Sequence, residues 1–204
     1  MYVVLEGIDG SGKSAQSDAL MQHFRERGGN PLQVHEPDET LPGGAELRRL
    51  LQFGEHRAAY PGLFLANRMA LLSSTVASAL QAGRPVISIR SFFSTLVYQQ
   101  QENWPLNWLI DIHRMLPVRP DLILILDLPP EEGMRRVLQR ETAREGTPEF
   151  YERIEVQRRN RERYLDLAQL PSIQAMLAPG GRICVVDTSG SKEQTFEHIK
   201  ERLA

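Results

Sequence analysis

Eight residues near the start of the chain, Gly7-Ile8-Asp9-Gly10-Ser11-Gly12-Lys13-Ser14, fill every fixed position of the pattern G-x-x-x-x-G-K-[ST]. Glycines at this spacing let successive backbone N–H groups turn inward around an anion, and a helix opening at Ser14 adds unpaired donors. Lys13 then brings a mobile positive charge to the β and γ phosphates of a nucleoside triphosphate, and the Ser14 hydroxyl is the expected protein ligand of magnesium. The expected triphosphate contacts are Gly7, Ile8, Asp9, Gly10, Ser11, Gly12, Lys13, Ser14 and Gln16. Phosphoryl transfer or hydrolysis is the chemistry this loop serves.

Two further groups of residues suit phosphate or nucleotide chemistry. Phe64 and Arg68 stand four positions apart in an apolar segment, so on a helix they share a face. An acceptor pocket could use that face, while core packing for Phe64 and a surface or salt-bridge role for Arg68 are the competing readings. Nine arginines fall between Arg135 and Arg163, whereas the whole chain has only three lysines, Lys13, Lys192 and Lys200. Arginine is a bidentate phosphate donor, although a general arginine bias gives the same excess.

These residues must be positioned by a chain of 204 residues that is 41% hydrophobic, enough for one substantial core and one domain, 1–204. A net charge of -2 gives no global attraction to nucleic-acid polymers or anionic membranes. The amino terminus enters a strand directly, no apolar run approaches the roughly 18 residues of a membrane span, and the expected setting is the cytoplasm. Cys184 has no partner for an internal disulfide and reads as a buried thiol.

Apolar segments at Tyr2 to Leu5, Leu32 to Val34, Pro85 to Ile89, Leu122 to Leu126 and Arg182 to Val186 read as parallel core strands. Helices are expected over Ala15 to Glu26, Pro61 to Gln81, Pro130 to Arg144 and Glu149 to Gln169. This alternation indicates an α/β layer fold whose ligands sit beyond the carboxyl ends of the strands.

The order of motifs resembles the thymidylate kinase family of P-loop nucleoside monophosphate kinases. The resemblance runs from the glycine loop through Glu36-Pro37, Glu46-Leu47-Arg48, Phe64 to Arg68, Ser94 to Gln99, Arg119 to Leu122 and Leu126-Asp127 into the arginine-rich segment. It implies a three-layer fold with a five-stranded parallel sheet, a flexible lid over 133–158, ATP as donor, Mg²⁺, a homodimer, and dTMP or a related pyrimidine nucleotide as acceptor. By the same resemblance Phe64 stacks on the base, Thr95 contacts it, and Arg48, Arg68 and Arg90 approach the acceptor phosphate, with Glu36 and Tyr98 in the same pocket. Asp9 falls near the transferring group, and Arg136, Arg140 and Arg144, repeating every four residues, stand where lid arginines close over ATP. The catalytic set is thus Asp9, Lys13, Arg90, Arg140 and Arg144.

The sequence departs from the family pattern at three places. Ile89-Arg90 replaces an Asp-Arg pair at the end of the third strand, removing a carboxylate from the metal side. His35-Glu36-Pro37-Asp38-Glu39-Thr40 replaces Arg-Glu-Pro-Gly-Gly-Thr, and Gln100-Gln101-Glu102-Asn103-Trp104 replaces a glycine-rich continuation. An ATP-binding regulatory homologue with weak turnover and a kinase for a different small molecule are the alternatives these changes raise.

Overall fold

The computed structural model describes residues 1–101, 103–141 and 154–203, without the side chains of residues 140 and 141. Five parallel strands, β1 Tyr2–Glu6, β2 Leu32–His35, β3 Val86–Ile89, β4 Leu122–Asp127 and β5 Arg182–Asp187, form one sheet in the order β2-β3-β1-β4-β5. β1 is central, with Val4 level with Ser88 on one side and Ile123 on the other. All five of its residues are buried.

Alternation along the strands divides the core into two layers. Tyr2 and Val4 point to the same side as Val86, Ile123 and Ile125, where Leu71, Leu72, Phe93, Leu96, Leu109 and Tyr164 pack. Val3 and Leu5 point to the other side with Ile87, Leu122 and Leu124, covered by Leu20 and Met21 of α1 Lys13–Glu26 and Ile199 of α10 Lys192–Glu201. Each fully buried leucine or valine in this sandwich contributes roughly 1.5–3 kcal/mol of transfer free energy.

The expected helix from Pro61 to Gln81 is continuous but not uniform. After a 3₁₀ turn at Arg57–Ala59 it runs as α3 Tyr60–Ala70, widens into a π turn at Leu71–Val76, and resumes as α4 Ala77–Gln81. The hydroxyls of Ser73 and Ser74 bond back to the carbonyls of Met69 and Ala70 at 2.6 and 2.7 Å, competing with the regular ladder where it widens. Among the described residues Arg57–Gln81 is the one helical segment long and apolar enough to cross a membrane, contrary to the expectation that no such segment exists. Leu71, Leu72 and Val76 instead face the core, and Arg68 is carried into the interior.

Among the described residues four helices of more than one turn were not anticipated: α2 Gly44–Phe53, α5 Phe92–Tyr98, α6 Leu106–His113 and α10. α5 and α6 span only 7 and 8 residues, too few for a helical period to stand out in the sequence. α7 Pro130–Glu141, α8 Ile154–Ala168 and the single turn α9 Pro171–Gln174 complete the chain. The expected lid over 133–158 lies partly outside the described residues; Arg144 lies outside them, and only the backbone of Arg140 is described. Cys184 is half-buried because β5 is an edge strand, correcting the expectation of a buried thiol. Trp104 packs against the core, but Trp108 is exposed, with its ring centroid 4.4 Å from that of Trp104.

Candidate active site

The chain leaves β1 at Glu6, passes through left-handed Gly10 and Gly12, and enters α1 at Lys13. The Ile8 side chain is buried and ties the loop to the core. A Cβ at Gly10 would collide with the backbone of Gly133, and one at Gly133 would lie 2.6 Å from the Asp9 carbonyl oxygen. The glycine loop and the start of α7 therefore touch backbone to backbone. Lys13 Nζ donates to the carbonyls of Gly7 and Ile8 at 2.9 and 2.7 Å and lies 4.0 Å from Asp9 Oδ1.

A cavity of about 820 Å³ opens over this loop. Residues Gly10 to Gln16 line one side; Arg136, Thr188, Gly190, Ser191, Lys192 and Thr195 line the other. Gln16 Nε2 donates to the Lys192 carbonyl at 3.0 Å, closing the loop against the start of α10. Arg136 donates to Glu132 at 2.8 Å and to the Thr188 carbonyl at 3.1 Å. The β5–α10 contribution escaped sequence reading, although Thr188-Ser189-Gly190-Ser191 is a small polar run at the carboxyl end of a strand.

A second cavity, of about 250 Å³, lies between α2, α3 and α5. Phe64 is partly buried against the cluster of Leu50 and Tyr60 and also lines this cavity, as do Arg48, Thr95, Tyr98 and Gln99. Its floor is Arg68, which is 2% exposed. Arg68 Nε donates to Glu36 Oε2 at 2.6 Å, Nη1 to His113 Nε2 at 2.7 Å, and Nη2 to the Ser91 carbonyl and Thr95 Oγ1 at 3.0 and 3.1 Å. Burial pushes the Glu36 carboxyl above its ordinary range while Arg68 pulls it back. Glu36 Oε1 is buried and has no hydrogen-bond partner among the described residues.

Asp9, Arg48 and Arg90 line both cavities, so the two meet at these three side chains. Arg90 adopts φ 72°, a left-handed conformation that costs a non-glycine residue on the order of 1 kcal/mol and is held here by its surroundings. Its Nη2 donates to Asp9 Oδ1 at 2.6 Å and its Nη1 to Ser94 Oγ at 3.2 Å. Gln157 clamps the other side of Asp9, its Nε2 donating to Oδ2 at 3.0 Å and its Oε1 accepting from the Asp9 N–H at 3.2 Å.

Behind this junction sits Glu6, fully buried, accepting from Ser91 Oγ, Ser94 Oγ and Tyr164 OH at 2.8, 2.6 and 2.9 Å. Burial first, and Glu6 next, raise the Tyr164 phenol well above its ordinary value, so it acts as a neutral donor. Glu6, Ser94 and Gln157 were not among the expected site residues. The one available signal was an acid terminating an otherwise apolar central strand.

The thymidylate kinase family model matches residues 5–199. The chain belongs to the thymidylate kinase family. It is 39% identical over 180 residues to a probable thymidylate kinase of Thermococcus kodakarensis, covering 83% of this chain and 85% of that protein. A thymidylate kinase of Dinoroseobacter shibae is 37% identical over 186 residues, with 88% of each chain covered. A probable thymidylate kinase of Pyrococcus horikoshii is 37% identical over 175 residues, with 83% of each covered. This thymidylate kinase family member is thus an enzyme of the nucleoside monophosphate kinase type, with that class's five-stranded parallel α/β fold.

The departures from the family pattern now have positions. Ile89 lines the larger cavity beside Arg90, where no carboxylate replaces the missing acid on the strand itself. Asp127 is gripped by Arg161 through two bonds of 2.7 and 2.9 Å, which commits it to α8. Asp38 turns into its own loop, accepting from the N–H and hydroxyl of Thr40, and Glu39 accepts from Arg48 at 3.0 Å. Among the described residues no three His, Cys, Asp or Glu side chains cluster as metal ligands. Ser14 is exposed and lines the larger cavity, a donor set suited to a Mg²⁺ held chiefly by nucleotide oxygens and water.

Proposed function

We propose that the protein transfers the γ-phosphoryl group of ATP to the phosphate of dTMP or a related pyrimidine nucleoside monophosphate, giving ADP and the nucleoside diphosphate. The observation that carries this reading is the meeting of two concave sites at Asp9, Arg48 and Arg90. The larger contains the triphosphate loop, and the smaller offers an aromatic face at Phe64 and a polar floor at Arg68 and Thr95. An acceptor phosphate oxygen attacks the γ phosphorus in line as the bond to ADP breaks. Alignment and charge stabilisation dominate such a transfer.

In this reading Lys13 leaves its loop carbonyls for the transferring phosphate, while Arg48 and Arg90 hold the acceptor phosphate at the junction. The resemblance had also placed Arg68 on that phosphate. Its Nε, Nη1 and Nη2 are all engaged at the cavity floor, so its role is to build the wall facing the base. Asp9, bound by Arg90 and Gln157, positions Arg90 rather than serving as a proton acceptor. Bound Mg²⁺ would neutralise charge on the β and γ phosphates, with Ser14 as its protein ligand. Arg136, which lines the larger cavity, would face the ATP phosphates, and Arg140 and Arg144 belong to the same proposal. A homodimer in the cytoplasm, without nucleic-acid or membrane partners, completes it; the near-neutral net charge of -2 supports the absence of polyanionic partners.

The test is product formation with ATP and Mg²⁺ across the common ribo- and deoxyribonucleoside monophosphates, with ADP and the diphosphate both measured. Stoichiometric ADP and dTDP from dTMP is the expected result. Tight ATP binding without acceptor-dependent product would overturn it and favour a nucleotide-binding regulator, the reading that Ile89 recommends. Ile89→Asp separates the two further: restoring an acid beside the metal is expected to raise turnover about tenfold with ATP affinity little changed, as outer-shell metal partners typically contribute 10–100-fold. Unchanged or lower turnover would show that Ile89 is not what limits the rate.

A further inference from the structure

The roles above leave one contact of Arg68 unused. His113 closes α6, is 2% exposed, and meets Arg68 Nη1 through Nε2 at 2.7 Å, while its Nδ1 lies 2.7 Å from the Leu109 carbonyl oxygen. A guanidinium has only donors, so the first contact requires a lone pair on Nε2; a carbonyl only accepts, so the second requires the proton on Nδ1. Together they select one neutral tautomer.

The ring's surroundings agree. Arg68 faces it from α3, Arg114 from the end of its own helix and Arg119 from the segment before β4; the last two line a separate cavity of about 90 Å³ with His113. The Glu36 carboxylate lies across Arg68. Phe92 of α5 is 6.2 Å away, and Ser172 and Met176, from around α9, bring no charge. Burial first, and Arg68 next, hold the imidazole down at about 3.

We propose that His113 is a positioning residue of the acceptor pocket, locking Arg68 in one orientation so that the Thr95 hydroxyl presents its proton to the base. Glu36, Ser91 and Thr95 take up Nε and Nη2, whereas Nη1 has His113 alone among the hydrogen-bond partners of Arg68 described above. Because Thr95 Oγ1 accepts from Arg68, its hydroxyl hydrogen must point elsewhere, and Thr95 lines the smaller cavity. Loss of the Nε2 lone pair would leave a buried guanidinium arm unsatisfied and let it turn toward Thr95. The inference rests on reading the smaller cavity as the acceptor site.

Two experiments test it independently. Two-bond ¹H–¹⁵N spectra of the unsubstituted protein with labelled histidine should show His113 as the neutral Nδ1–H form from about pH 5 to 8. An Nε2–H tautomer or an imidazolium in that range would overturn the proposal. No substrate is required, so this result stands even if the kinase reading fails. In steady-state kinetics His113→Leu should raise the acceptor KM about tenfold with little change in the ATP KM, and His113→Gln, whose Oε1 can accept from Arg68, should recover most of the loss. An unchanged acceptor KM in His113→Leu, or a parallel rise in both KM values with no rescue by glutamine, would refute positioning. Should His113→Leu not unfold cooperatively, an acceptor KM in His113→Gln as poor as that expected for leucine would overturn it equally.

Discussion

Lys13→Met is expected to lower kcat/KM by about 10²–10³-fold in a protein that remains folded, comparable to removing one preorganised donor from a transition-state anion site. The ammonium rests on two carbonyls of the loop, at 2.9 and 2.7 Å, within reach of the cavity that the loop forms. A compact, strongly hydrated charge on a flexible stem can leave those carbonyls for a phosphate without rebuilding the loop. Lys13→Arg should not restore activity, because a planar fork cannot occupy the same narrow cradle. Asp9 keeps its bonds to Arg90 and Gln157 in either variant, so the junction should survive. Acceptor-dependent ADP release, alongside circular dichroism, checks this; a parental rate in Lys13→Met would refute the phosphate grip.

Glu36→Ala is expected to destabilise the protein by about 3–5 kcal/mol, a large fraction of the roughly 5–15 kcal/mol that holds a domain folded. Both side chains of the Glu36–Arg68 pair are 2% exposed and 2.6 Å apart. Removing the carboxylate leaves a guanidinium in the interior with one neutral histidine, one hydroxyl and one carbonyl as partners. The midpoint of thermal unfolding should fall by roughly 6–20 °C at this chain length. The double variant Glu36→Leu with Arg68→Met removes both charges while keeping much of the volume, and should recover most of that stability. It should still fail to bind the acceptor, because the polar floor is gone. Equal instability of the single and double variants would show that volume, not the unpaired charge, sets the cost.

The two variants probe features that differ in how readable they were. The loop around Lys13 is a run of consecutive residues whose backbone conformations are set by glycine, so its chemistry could be read directly from the spacing. The central strands were readable for a similar reason: β1 and β4 are short apolar runs buried on both faces, as Leu122-Ile123-Leu124-Ile125-Leu126 illustrates. Arg68 was identified as a candidate, but the sequence left open a surface pair or a pocket role. It is not a surface residue: it is 2% exposed, and its guanidinium is hydrogen-bonded to Glu36, His113, Ser91 and Thr95. Burial beside Glu36 and His113 decides this, and both partners come from other elements.

Thus the sequence alone determined the triphosphate loop, the parallel α/β layering, the family and most of the residues that line the smaller cavity. Each rests on local spacing, on strand composition or on the order of motifs. Tertiary structure decided which side chains serve one another. Asp9 meets Arg90 across 81 positions and Gln157 across 148, Glu6 meets Tyr164 across 158, and Arg68 meets His113 across 45. Such pairings depend on the order in which parallel strands cross over and on the face each helix turns to the sheet. Periodicity places a residue on a face but does not say what will stand opposite it. The glycine loop therefore marked one cavity, and the folded sheet supplied the junction of Asp9, Arg48 and Arg90 where the second cavity meets it.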